Sequence, residues 1–174
     1  MALSHIKPSI DHIGSTSLES IAAKPIIDIL VGVSSDSHLD DSIHFMTNSG
    51  YTYVERFNQA MPYRRFFAEL TPRQSTKPPL VIDNTTDLLF GIEYDSVCNI
   101  HIIKKNTYHW IRHIAFRDYL LANEHARSAY ENLKMEIVKL DFKDPLEYNT
   151  HKERFILEVQ QEAVFLYLNN KQNP

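Results

Sequence analysis

One cysteine, four glycines and no long apolar run set the first limits on this 174-residue chain. A lone thiol, Cys98, forms no internal disulfide, so the fold must rest on its own apolar core, and a reducing cytoplasm is the expected setting. The longest apolar runs fall well below the roughly 20 residues that span a bilayer. The opening "MALSHIKPSI" has no apolar stretch long enough for a signal peptide, so a soluble chain with no membrane partner is expected. Basic residues are not in excess either: 18 Lys and Arg stand against 22 Asp and Glu, for a net charge of -4. Nucleic acid is therefore not the expected partner, and the pairs Arg64-Arg65 and Lys104-Lys105 read as solvated surface or ion-pair partners. Glycine this sparse belongs where the backbone needs it: Gly14 after a strand, Gly32 near a strand end and Gly50 after a helix. Gly91 has no such role.

What is present is an ordinary globular composition, 43% apolar and 23% charged, in a chain long enough for one domain, 1–174. "IDHI" and "PIIDILVGV" read as strands, with "TSLESIAA" between them as a brief helix. "SHLDDSIHFMTNSG" reads as a helix ending at Gly50, followed by the strand-like "YTYVE" and "YRRFFAEL". Thr71 to Thr86, with three prolines, reads as a loop or flap. "SVCNIHII" alternates, placing Val97, Asn99, His101 and Ile103 on one face and Cys98, Ile100 and Ile102 on the other. After Thr107, a plausible N-cap, three helical patterns follow. The last begins after Asp144-Pro145, carries an apolar stripe of Phe155, Ile156, Val159, Ala163, Leu166 and Tyr167, and gives way to a frayed "NNKQNP". The class is α+β: a mixed sheet with flanking helices over about 1–105, then a helical portion over about 106–170 packed on it.

The chemistry concentrates in "IDHIGSTSLESIAAKPIIDILVGV", where a Gly-Ser turn follows one strand and Asp28 interrupts the apolar run of the next. Backbone N–H groups at such a turn favour an anion such as phosphate, and a carboxylate beside it can hold a cation. A triphosphate with its metal suits both.

"HIGSTS" followed by "AAKPIIDILVGV", with the later "NIHI", "FRDYL" and "AYENLK", resembles the GrpB family, which is placed in the nucleotidyltransferase superfamily. The resemblance runs from about Ile10 to the last helix and implies a polymerase-β-like mixed sheet with a helical portion after it. Active members of that superfamily carry a Gly-Ser or Gly-Gly turn, two acids separated by one residue on a strand, and a third acid on a later strand. Gly14 and Ser15 match the turn and Asp28 the first acid, but the position two further on is Leu30. One aspartate is too little charge for two-metal phosphoryl transfer. The expectation is a single divalent cation, Mg²⁺, Mn²⁺ or Zn²⁺, at Asp28. His101 falls in the third-acid region and His12 beside the turn; an imidazole there favours Zn²⁺ or Mn²⁺. Leu18-Glu19-Ser20-Ile21 also departs from the family's Val-Pro-Gly-Leu, and Leu121 from its usual Arg. The chain has thirteen residues before Gly14 where relatives generally have a longer leading helix, so the expectation is either a start that is short or a less covered sheet face whose exposed apolar surface would favour a homo-oligomer.

Each candidate also has a plainer reading. Asp28 pairs with a base such as Lys24 or an arginine, the histidines are hydrogen-bonded in the sheet, and Gly14 to Thr16 simply joins strand to helix. Asp118 falls in register with Ile111, Ile114 and Leu121, so it is expected inward and paired. Arg117 projects about 100° away on the helix, so that partner is expected elsewhere, at Arg64 or Arg65. The sharper reading has Arg117 reaching a ligand phosphate, with Arg65 sharing this ambiguity. Cys98 and Trp110 read as core.

Three functions compete. In the first, Gly14, Ser15 and Thr16 cradle a nucleotide, Asp28 and His101 act as catalytic groups and metal ligands with His12, and Lys24, Arg65 and Arg117 neutralise its charge. In the second, the same turn binds a nucleotide or another small phosphorylated metabolite without catalysis. Relatives fused to dephospho-coenzyme A kinase associate this reading with a coenzyme-A-related ligand. In the third, a catalytically inactive fold serves as a protein-interaction module.

Overall fold

The computed structural model describes residues 2–18, 21–73, 77–87, 92–140 and 145–172. It is an α+β protein whose described residues divide into two compact units, Met1–Ser17 with Ala23–Trp110, and Leu18–Ala22 with Ile111–Pro174. Gly91 and the Glu19-Ser20 and Asp144 positions discussed above lie outside the described residues.

The first unit is built on strands β1 (Ser9–Ile13), β2 (Ile27–Val33), β3 (Thr52–Val54), β4 (Arg64–Pro72), β5 (Val81–Ile82) and β6 (Tyr94–Lys104), with helix α1 (Ser37–Asn48) after β2. They form one mixed six-stranded sheet in the order β1-β2-β6-β4-β3-β5. β2 and β6 run parallel, flanked by antiparallel β1 and β4. Alternation along these strands divides the sheet into two faces of different character. One face carries Val31 and Val33, Tyr53 and Phe67, and Cys98, Ile100 and Ile102, packed with Leu39 and Met46 of α1 into a core. The other face carries Asp28 on β2, Asn99 and His101 on β6, and Arg64 and Phe66 on β4, placed side by side by the register.

The second unit contains most of α2 (Tyr108–Ala122), with α3 (Glu124–Val138) and α4 (Pro145–Gln172). Asn123 caps α3, its side chain accepting from the Ala126 amide at 3.0 Å. Leu18, Leu120 and Tyr130 form the buried centre of this unit, with Phe155, Ile156 and Val159 of α4 against it. Among the described residues no helix is long and apolar enough to cross a membrane.

Three expectations are corrected. The brief helix in "TSLESIAA" is a single 3-10 turn, Ser15–Ser17, because Ser17 gives both its amide (3.2 Å) and its hydroxyl (2.7 Å) to the Gly14 carbonyl. The segment read as a loop contains the end of β4 and all of β5, whose Ile82 is fully buried. Two residues are too few for periodicity to register. After β5, Thr85 and Thr86 donate to Asp83 and hold its carboxyl down at about 2. Finally, α4 continues through Asn169 and Asn170 to Gln172 where fraying was expected.

Cys98 lies in the core, on the face opposite His101, as the alternation requires. Burial first, then the Glu69 and Asp28 charges, pushes its thiol up from 9.0 to about 11. Alkylation at pH 8 is therefore expected to be on the order of 100-fold slower in the native chain than in urea, from the lower thiolate fraction alone. Equal rates in the two states would contradict this burial.

Candidate functional site

The site begins where β1 ends. Gly14 adopts φ +71, in the left-handed region, and turns the chain back over β2. There its Cα meets Asp28: a Cβ on Gly14 would overlap Asp28 Oδ2 and stand 2.9 Å from its Cβ and 3.0 Å from its Cγ. Glycine is thus required twice, by the backbone angle and by the carboxylate beneath it. The first hydrogen bond of the following 3-10 turn is made by the Ser17 amide, so the Ser15 and Thr16 amides lie outside the turn's own ladder.

Asp28 sits between Ile13 on β1 and Asn99 on β6. Its side chain keeps 29% of its surface exposed. Ser96 Oγ donates to Asn99 Oδ1 at 3.1 Å, and Asn99 Nδ2 donates to Asp28 Oδ1 at 3.0 Å. This short relay orients the Asn99 amide and leaves Asp28 Oδ2 beneath the turn. His101, two residues along β6, brings Nε2 to 3.8 Å from Asp28 Oδ1, while its Nδ1 accepts from Arg64 Nη1 at 2.9 Å. The guanidinium of Arg64 lies 4.9 Å from the Phe66 ring centroid and 6.0 Å from that of Phe57.

Within the first unit the structure brings Gly14, Ser15, Asp28 and His101 into one place. His12 is on the opposite face of β1 from Ile13, and its Nε2 meets Thr16 Oγ1 at 2.9 Å. Thr16 remains in the turn, with its hydroxyl on His12. Lys24 is exposed in the segment before β2. Alternation turns Arg65 to the α1 face, where it pairs with Asp40 at 2.7 Å, and places Arg64 on the face of Asp28.

Arg117 belongs to the second unit, where its Nε donates to Asp118 at 2.8 Å. Asp118 is exposed, not inward, and its neighbour is its partner. The buried positions of α2 are Ile114, Ala115 and Leu120, and the half-buried Arg117 side chain is long enough for its guanidinium to reach the next carboxylate around the helix.

Sequence reasoning missed three residues: Asn99 as partner of Asp28, Arg64 as partner of His101, and Asp11. Asp11 pairs with Leu30 across β1 and β2, so it shares the face of Asp28. Leu30, two residues after Asp28 on β2, is fully buried, and the strand partner that faces it is Asp11. Strand pairing is the signal that would have found it.

Fold and site together describe an α+β protein with a carboxylate held beneath a Gly-Ser turn at the edge of a mixed sheet. A family model described as GrpB protein matches residues 1–162, and the chain belongs to this family. It is 32% identical over 157 residues to the glutamate-rich protein GrpB of Alkalihalophilus pseudofirmus, a match covering 88% of this chain and 77% of that one. Among solved structures, the conserved protein GrpB from Enterococcus faecalis superposes with a TM-score of 0.70 at 27% identity, covering 96% of this chain and 88% of the other.

Proposed function

We propose that this chain is a nucleotidyltransferase-like protein that binds a nucleotide or another small phosphorylated metabolite together with one divalent cation. The observation that carries the reading is the seating of the Asp28 carboxylate directly beneath Gly14, with the Ser15 and Thr16 amides following it. A phosphate on those amides would lie beside a carboxylate, a juxtaposition that a cation between them makes favourable.

The donor set fits a hard cation. Asp28 offers carboxylate oxygen, the donor type that hard cations take. Mg²⁺ and Mn²⁺ favour such oxygen donors, and Mg²⁺ is commonly held by one or two carboxylates plus waters and substrate phosphates. Mg²⁺ or Mn²⁺ at Asp28 is therefore the reading, and when bound it would neutralise phosphate charge. Asn99 orients the carboxylate, and Arg64 adds a fixed positive charge on the same face.

Nucleotidyl transfer is a second reading, favoured by one observation: Asp11 places another carboxylate on the face of Asp28. Thermal unfolding with ATP, GTP, CTP or UTP and Mg²⁺, Mn²⁺ or Zn²⁺ tests the binding. A rise in Tm that needs both nucleotide and Mg²⁺ or Mn²⁺ is expected; no rise with any pair would remove the reading. Release of pyrophosphate from the stabilising nucleotide, lost in Asp11→Asn, would favour transfer.

A further inference from the structure

We infer that Arg64 is a positioning residue that fixes His101 in the Nε2-protonated tautomer, so that the imidazole offers a hydrogen-bond donor to an anionic oxygen of the ligand and does not serve as a metal ligand. The assignment of His101 as a donor rests on the geometry of the sheet. Its use toward a ligand oxygen rests on the phosphate-binding reading above.

Arginine has donors and no acceptor, so the 2.9 Å contact between Arg64 Nη1 and His101 Nδ1 has one polarity: Nδ1 accepts. In the neutral ring the proton must then sit on Nε2. Metal ligation needs a ring nitrogen with its lone pair available. Nδ1 is engaged by a guanidinium, a cation that would also repel a metal, and Nε2 carries hydrogen. What His101 offers on its Nε2 side is N–H, so a group bound there has to be an acceptor.

The clamp that enforces this is built by strand alternation. Arg64 and Phe66 share the site face of β4, opposite Ile103 and His101 of β6. The Phe66 ring meets the His101 ring edge-on at 5.0 Å and carries the Arg64 guanidinium on its other contact, 4.9 Å from the centroid. Phe57 packs against Phe66 at 5.7 Å, and its ring also lies under the guanidinium, 6.0 Å from centroid to Cζ. A planar guanidinium stacks in such a setting and still aims an N–H, which a lysine ammonium does less well. The same face of Nε2 looks toward Asp28 Oδ1 at 3.8 Å, longer than a hydrogen bond but close enough for the N–H dipole to favour the carboxylate.

The test is the ¹⁵N spectrum of the His101 ring with the imidazole neutral, assigned by comparison with His101→Gln. In the wild type without ligand, Nε2 is expected at a protonated and Nδ1 at an unprotonated ring-nitrogen position. Arg64→Met is expected to move the two signals toward each other as the tautomers mix, and Arg64→Lys to restore part of the separation. A wild-type ring protonated on Nδ1, an Arg64→Met spectrum identical to wild type, or loss of the Nε2 proton on stoichiometric Zn²⁺ would each overturn the inference. The wild-type spectrum decides the tautomer even if Arg64→Met does not fold. Adding inorganic pyrophosphate with Mg²⁺ then tests the reading separately: a shift of the His101 Nε2–H supports an oxygen acceptor at this donor. If the tautomer is as assigned and neither pyrophosphate nor any nucleotide perturbs the ring, His101's ligand role fails; a Mg²⁺-dependent rise in Tm under the same conditions would leave the phosphate-binding reading standing, and its absence would remove that reading too.

Discussion

Gly14→Ala is expected to destabilise the chain by about 2–4 kcal/mol, the sum of left-handed backbone strain and overpacking. For a chain of this size that is a fall of roughly 5–15 °C in Tm. Both contributions come from the same junction. The φ of +71 is unfavourable for any residue with a Cβ, and that Cβ would be driven into the Asp28 carboxylate. Gly50→Ala separates them: its φ is +90, but nothing lies within 4 Å of the added carbon, so strain of about 1 kcal/mol is the whole expected effect. The excess at Gly14 measures the close approach to Asp28. Combining Gly14→Ala with Asp28→Ala, which removes Oδ2 and Cγ, should recover part of that excess as a coupling between the two sites. Gly14→Ala costing no more than Gly50→Ala would mean that the turn does not press on the carboxylate, and the site as described would be lost.

Asp28→Asn has a different expected signature. Asparagine keeps the size of the side chain and an oxygen to accept from Asn99 Nδ2, so the unliganded chain should change by less than about 1 kcal/mol. The charge that would hold a cation is gone. A ligand at about 100 times its Kd adds roughly 2.7 kcal/mol to the stability of the protein it binds. The wild type should show that gain with a Mg²⁺-nucleotide and Asp28→Asn should not. A variant that loses most of its stability without ligand would instead show that the acid serves the fold.

Much of the first unit was legible because its strands alternate. "SVCNIHII" separated Cys98 from His101 by face, and β6 does so. The same rule, applied to "YRRFF", would have sent one arginine to each face, but choosing the face needs to know which one α1 covers. That is a tertiary fact, and it is why Arg65 was favoured and Arg64 occupies the site. Asp11 escaped for a similar reason: its place on the face of Asp28 comes from pairing with Leu30 on another strand, and no spacing within one segment encodes that. Asp118 failed on a different point. Helical register located an apolar face one step around from the residues that are most buried, and the long Arg117 side chain crossed the angular gap that seemed to forbid the pair. The Gly14 turn was readable in its sequence, whereas its contact with Asp28 required the antiparallel register that pairs Ile13 with Asp28.

The most direct test of the central claim is calorimetric titration of ATP with Mg²⁺ into wild-type protein and into Asp28→Asn, repeated with any nucleotide that raises Tm. Saturable binding to the wild type that depends on Mg²⁺ or Mn²⁺ and weakens at least about tenfold in Asp28→Asn, a difference of about 1.4 kcal/mol or more, is the predicted result. Equal binding by both proteins, or no binding of any nucleotide to the wild type, would contradict the assignment of Asp28 and the Gly14 turn as a metal-assisted phosphate site.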